Sequence, residues 1–217
     1  MTVQLAQPTP PVLSDHLLDR WGKIPVAVAV DLAPECQISP DIRALRPKGQ
    51  QPQLCARAVT VHCDTPDFGA VLKAVGLVGP GQVLVIDAGG HSGNAMIGDV
   101  LGGFLHGRGA AGIVCDGAIR DTGSLVCLDG FSVHTRHVNP RGPVGAGLGS
   151  VNHPVTIGGT AVNPGDLILG DDDGLAVLSS DRLATLIDAA EAKIRLEIEW
   201  TQKLESGTPV ESIFGLD

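Results

Sequence analysis

From Leu54 to Cys115 the chain alternates short runs of β-branched and aliphatic residues with stretches of helical spacing, separated by glycine or proline. That alternation restricts the fold to the α/β class, because parallel strands need helical crossovers between them. Residues 54–62 read as a strand, and residues 67–75 have helical spacing that Gly79-Pro80-Gly81 ends. Residues 82–87 (QVLVID) are a short buried strand, followed by an expected glycine-rich loop over 88–94. A helix resumes over 99–105, and residues 111–115 (AGIVC) form the next strand before an Asp116-Gly117 turn.

The flanking regions are less regular. Residues 1–11 are expected to be a flexible arm, and Ser14-Asp15 can cap a short helix reaching Trp21. The PVAVAVDL segment at 25–32 reads equally as strand or helix, and 34–53 as a long connection. Further strands are expected at 131–135 and 155–161, with a hairpin over 167–178 that turns at Asp171-Asp172-Asp173-Gly174. A single domain over 12–178 is then followed by a helix over 179–206 and a tail over 207–217. That last helix carries an apolar stripe through Leu183, Leu186, Ile187, Ala190, Ile194, Ile198 and Leu204. At 100° per residue Glu197 falls inside the stripe, and Glu199 points to the opposite side. Glu197 is then either an edge carboxylate that reaches water or one delivered to a site.

Charge narrows the ligands. Lys+Arg 15 against Asp+Glu 24 gives a net charge of −9, which repels phosphate backbones and argues against nucleic acid. No apolar stretch has the length of a membrane span, and the N-terminus lacks the pattern of a secretory signal, so a cytoplasmic location is expected. Cys36, Cys55, Cys63, Cys115 and Cys127 include no CxxC pair, and read as reduced structural residues.

The chemistry concentrates in residues 87–143. The glycine-rich stretch leads through Gly98 into a helix start at Asp99-Val100-Leu101, and the free N–H groups of a helix N-terminus suit a carboxylate or phosphate. Gly98 permits close backbone approach, while Asp99 can serve as that helix's own cap. Arg120-Asp121 follows the central strand, with twenty residues between Asp99 and the pair. It reads either as a strand-end site or as a surface salt bridge. His91 is either a proton donor or substrate contact, or a solvent-exposed loop histidine.

The segments DAGG, GDVL, GIVCDGAIRD, RGP and VNPGDLILGDDDGLAVL together resemble the RraA-like family. That family includes the regulator of ribonuclease activity A and class II pyruvate aldolases acting on 4-hydroxy-4-methyl-2-oxoglutarate and 4-carboxy-4-hydroxy-2-oxoadipate. The aldolase signature, an Asp, twenty residues and then Arg-Asp, is intact at Asp99, Arg120 and Asp121. The resemblance implies a layered β/β/α domain of the swivelling type, assembled as trimers or hexamers with sites between subunits. It also implies Mg²⁺ or Mn²⁺ ligated by Asp121, with waters held by Asp99 and by a Glu of the adjacent subunit's C-terminal helix. Glu197 matches that Glu, with Glu199 as the alternative. The activity implied is retro-aldol cleavage of a 4-hydroxy-2-oxo di- or tricarboxylic acid to pyruvate, with oxaloacetate decarboxylation as a related reaction. In that scheme the metal and Arg120 stabilise an enolate, and the N–H groups of Val100 and Leu101 hold the substrate carboxylate.

A Schiff-base route needs a lysine, yet Lys23, Lys48, Lys73, Lys193 and Lys203 leave the glycine-rich core without one. Asp121-Thr122-Gly123-Ser124 spells an aspartic-protease motif, but only once and beside an arginine. The Asp171–Asp173 run lacks a ligand where Leu169 stands, so it is no EF-hand loop. The rival from another class is a non-catalytic RraA-type regulator that binds ribonuclease E.

Overall fold

A computed structural model describes residues 2–7 and 14–216. The chain runs β1 (Gln4–Leu5), α1 (Asp15–Trp21), α2 (Val26–Leu32), β2 (Arg43–Ala44), β3 (Leu54–His62), α3 (Gly69–Ala74), β4 (Gln82–Ile97), α4 (Asp99–Gly107), β5 (Gly112–Ile119), α5 (Thr122–Leu125) and β6 (Ser132–Val138). It continues through β7 (Ser150–Val151), β8 (Val155–Ile157), β9 (Thr160–Val162), β10 (Leu167–Gly170), β11 (Leu175–Leu178), α6 (Ser180–Glu205) and α7 (Val210–Phe214). Strands β3, β4, β5 and β6 are parallel and adjacent, the arrangement expected from the strand–helix alternation.

Period-2 burial along β4 builds the layers. Leu84 and Ile86 face one side, where Val71 of α3 and Leu105 of α4 pack on them. Val83 and Val85 face the other, against Ile157 and Val162 of the β8–β9 hairpin. The result is a helical layer, a large sheet and a smaller β layer in one mixed α/β domain. A third cluster joins α1, α2 and α6 over β10 and β11, with Trp21 buried and its indole N–H donating to the Leu183 carbonyl. Among the described residues, no helix is long and apolar enough to cross a membrane.

Several local expectations need correction. Residues 88–94 are not a free loop: β4 runs through them, with register shifts where Gly89 and Gly90 take φ of +58° and +73°. Those bulges keep the backbone paired to β5, so the glycines bend a strand rather than end it. Asp116-Gly117 is no turn either, since β5 continues to Ile119. The PVAVAVDL segment is helical in α2, where Val26, Val28 and Ala29 are buried. The single strand expected at 155–161 is a hairpin that turns at Gly158-Gly159. In the expected N-terminal arm, Gln4–Leu5 pairs with Ser150–Val151, while residues 8–11 lie outside the described residues. The connection over 34–53 holds a 3₁₀ turn at Pro34–Cys36 and β2, which pairs with β6.

Candidate active site

Strand β5 and helix α4 bring the Asp99, Arg120 and Asp121 motif together. Arg120 follows β5 directly, its backbone N–H held by the Ile97 carbonyl at the end of β4. Asp121 then takes φ 56°, ψ 39° and starts α5. A left-handed Asp is uncommon, and here it turns the chain from the end of β5 into α5. Its Oδ2 accepts the Asp99 backbone N–H at 3.4 Å and lies 3.2 Å from Arg120 Nε. The Asp121 side chain is 38% exposed and that of Arg120 42%, so both remain open to a ligand.

Gly98 makes this approach possible. A Cβ at that position would overlap Asp121 Oδ2 and stand 2.8 Å from Arg120 Cγ. Gly98 also occupies the N-cap of α4 with no side-chain cap bond, so Asp99 is the first helical residue and not the cap. The amides of Val100 and Leu101 therefore open the first turn, without i−4 partners inside the helix. One turn further along, Gly102 lets Leu125 of α5 press against α4, which fixes Asp99 relative to Asp121.

These residues line a cavity of about 270 Å³. Its walls include Gly98, Asp99, Val100, Leu101, Arg120 and Asp121 from the motif, joined by Phe68 and Leu72 near α3 and by Pro143. The last three were not foreseen; the RGP segment was the signal available for Pro143. The loop that carries Pro143 is anchored by buried Asp67. Burial pushes that carboxyl up, but the N–H groups of Gly69, Gly147 and Leu148 outweigh it and hold the group below the ordinary carboxylate range. Asn94 donates to the Gly142 carbonyl, which sets the same loop beside Arg120.

Two candidates lie elsewhere. His91 sits within β4, 3.4 Å from Asn94 Oδ1, and does not line the cavity, because the strand continuation places it opposite Gly117. Glu197 is paired with Lys193 at 3.2 Å, and Lys193 also meets Asp31 of α2 at 3.0 Å. Glu199 pairs with Lys203 at 2.7 Å. Neither glutamate lines the cavity within one chain, since α6 packs over β10 and β11.

The RraA-like family, described as Aldolase/RraA, matches residues 15–177. This chain belongs to the RraA-like family. It is 36% identical over 149 residues to the Halalkalibacterium halodurans protein named "Putative 4-hydroxy-4-methyl-2-oxoglutarate aldolase", covering 69% of this chain and 70% of the relative. The RNA-processing inhibitor RraA from Thermus thermophilis superposes with a TM-score of 0.64 at 29% identity, covering 72% of this chain and 93% of that one. An uncharacterized protein from Pseudomonas syringae pv. tomato shares the fold over 98% and 99% of the two chains, with a TM-score of 0.82 at 21% identity. The layered α/β fold is thus that of the RraA-like family, within which one relative is named as an aldolase and another as an inhibitor of RNA processing.

Two hard-oxygen carboxylates at one cavity wall suit a divalent cation such as Mg²⁺. Among the described residues no group of three or more His, Cys, Asp or Glu converges.

Proposed function

We propose that this RraA-like protein is a carbon–carbon lyase that releases pyruvate from a 4-hydroxy-2-oxo acid of the di- or tricarboxylic class, with oxaloacetate decarboxylation as a related activity. One observation carries this reading: the left-handed Asp121 presents its carboxylate beside Arg120 and the Asp99 amide at an open cavity, against a glycine that admits no side chain.

The chain's own groups match the demands of the reaction. Retro-aldol cleavage removes the proton of the C4 hydroxyl, breaks C3–C4 and moves the bonding pair toward the C2 carbonyl oxygen. Arg120 supplies a fixed cation where that negative charge develops. The Val100 and Leu101 amides hold the C1 carboxylate at the start of α4. Asp99 faces the same space and holds or relays the proton through water. A bound Mg²⁺ or Mn²⁺, held by Asp121 directly and by Asp99 through water, would add Lewis-acid polarisation of the carbonyl. A carboxylate from a neighbouring subunit in a trimer or hexamer, Glu197 or else Glu199, would complete that shell. Exposed Leu196, Ile198 and Leu204 on the same half of α6 support a covered helix there.

The test measures pyruvate release from 4-hydroxy-4-methyl-2-oxoglutarate and from oxaloacetate, with Mg²⁺ and again with EDTA, beside Asp121→Ala. Release that needs both metal and Asp121 is expected. No metal-dependent release from either substrate would transfer the case to the regulator that binds ribonuclease E.

A further inference from the structure

Arg120 serves as a fixed cation only if its guanidinium stays where negative charge develops. Its side chain is 42% exposed, and its ion pair with Asp121 runs through Nε, so the tip needs a further constraint. Two glycines supply it. A Cβ at Gly98 would stand 2.8 Å from Arg120 Cγ, and a Cβ at Gly142 would stand 2.8 Å from Arg120 Nη1. The stem is thus flanked by the end of β4 and the tip by the loop bearing Pro143. Gly98 is fixed by its place between β4 and α4, whereas Gly142 lies outside any helix or strand. Strand β4 fixes that loop as well. The Ala95 N–H donates to the Arg141 carbonyl at 2.8 Å, and Asn94 Nδ2 donates to the Gly142 carbonyl. Asn94 is 8% exposed, and its Oδ1 faces His91 Nε2 at 3.4 Å. Oδ1 can only accept, so His91 carries a proton on Nε2. That contact opposes an amide flip, which would set two acceptors against each other at Gly142.

We infer that Asn94 is a positioning residue for Arg120, acting through Gly142, with His91 setting the orientation of its amide. The inference rests on the lyase reading for its catalytic meaning, while the placement of Arg120 can be measured apart from it. All the bonds involved lie within one chain. Gly142 does not take a positive φ, so alanine suits its backbone, and Gly142→Ala would displace the flexible end of Arg120 rather than the fold.

The experiment has two arms on the full-length chain. The first follows the Arg120 Nε–H resonance by ¹⁵N NMR, assigned by its absence in Arg120→Lys. We expect Asn94→Ala and Gly142→Ala each to move it toward the position of freely exposed arginines. Circular dichroism verifies folding, and Gly142→Ala decides the arm if Asn94→Ala does not fold. The second arm is calorimetric binding of oxalate, a planar mimic of the pyruvate enolate, in Mg²⁺ buffer. Asn94→Ala should weaken it on the order of ten-fold, yet by less than about two-fold in an Arg120→Ala background, because the two residues act as one unit. An equal loss in both backgrounds would mark Asn94 as a loop tether only and overturn the inference. So would an Arg120 resonance that ignores both substitutions, whatever the lyase assay shows. A resonance that moves as expected, in a chain that neither binds oxalate nor releases pyruvate with metal, overturns the lyase reading and leaves the positioning of Arg120 standing.

Discussion

Two aspartates leave the same strand five positions apart and meet opposite fates. Asp116, within β5, is 8% exposed; its Oδ1 accepts from Arg136 Nε and its Oδ2 from the Gly158 amide at 2.6 Å. Arg136 is in turn held by Asp41 at 2.9 Å, and the neighbouring strands add His62 paired with Asp87 at 2.9 Å. Asp121, just past the strand end, shares one oxygen between Arg120 and the Asp99 amide and stays accessible in a cavity wall. Both are Arg–Asp pairs, one within β5 and one just past its end. The first is buried, with each oxygen bonded to a protein donor, and ties layers together. The second keeps acceptor capacity for a ligand. A carboxylate's role follows from what else its oxygens must satisfy, not from the pairing alone.

The comparison can be broken most directly by exchanging the two losses. Asp121→Ala should lower pyruvate release by about 10³-fold with little change in unfolding free energy. Asp116→Ala should instead cost about 3 kcal/mol of stability, because Arg136 loses its buried partner and keeps only the exposed Asp41. Urea unfolding and steady-state assays on both variants decide it, and an inverted result would mean the roles had been assigned backwards. Next in size, Gly98→Ala forces the Asp121 carboxylate aside and should cost about 10²-fold in activity, as misplacement by about an ångström does. An unchanged rate would show that the cradle is incidental.

Acid sharpens the structural half of the contrast. Burial pushes the His134 imidazole down, more than its bond to the Asp171 carbonyl raises it. The folded state therefore binds its proton less readily than the unfolded chain. The stability it contributes is full above the ordinary value of 6.5 and is lost as pH falls below it. The urea midpoint should drop between about pH 7.5 and about pH 5.5, and His134→Gln should flatten that slope. The smallest effect is expected at Asp67, whose depressed carboxyl contributes stability above its ordinary value of 3.8 that is lost as pH falls through its lower folded value. Asp67→Asn should move the acid-unfolding midpoint upward by a fraction of a pH unit, read by circular dichroism.

The α/β class, the parallel core strands and the long C-terminal helix were legible because each rests on local periodicity. Apolar runs at 82–87 and 111–115 and the stripe from Leu183 to Ile194 report burial directly. The Asp99, Arg120 and Asp121 set was legible as residue types at a spacing, and the fold gathers it at one cavity. What neighbours decide was hidden. Glycines at 88–94 are normally breakers, yet pairing to β5 carries the strand through them. His91, read as a loop residue, is fixed in that strand, and Glu197 finds its cation one helical turn away on Lys193.

The amino-acid order by itself determined the α/β class and the spacing of Asp99, Arg120 and Asp121, since hydrophobic period and motif spacing are properties of the chain. Only the tertiary structure decided that Asp121 stays open while Asp116 is buried, and that Phe68, Leu72 and Pro143 line one cavity with Asp99, Arg120 and Asp121. The physical reason is that burial and wall chemistry depend on residues distant in sequence. Asp67 and Asn94 anchor the loop bearing Pro143, and no local pattern records their hydrogen bonds.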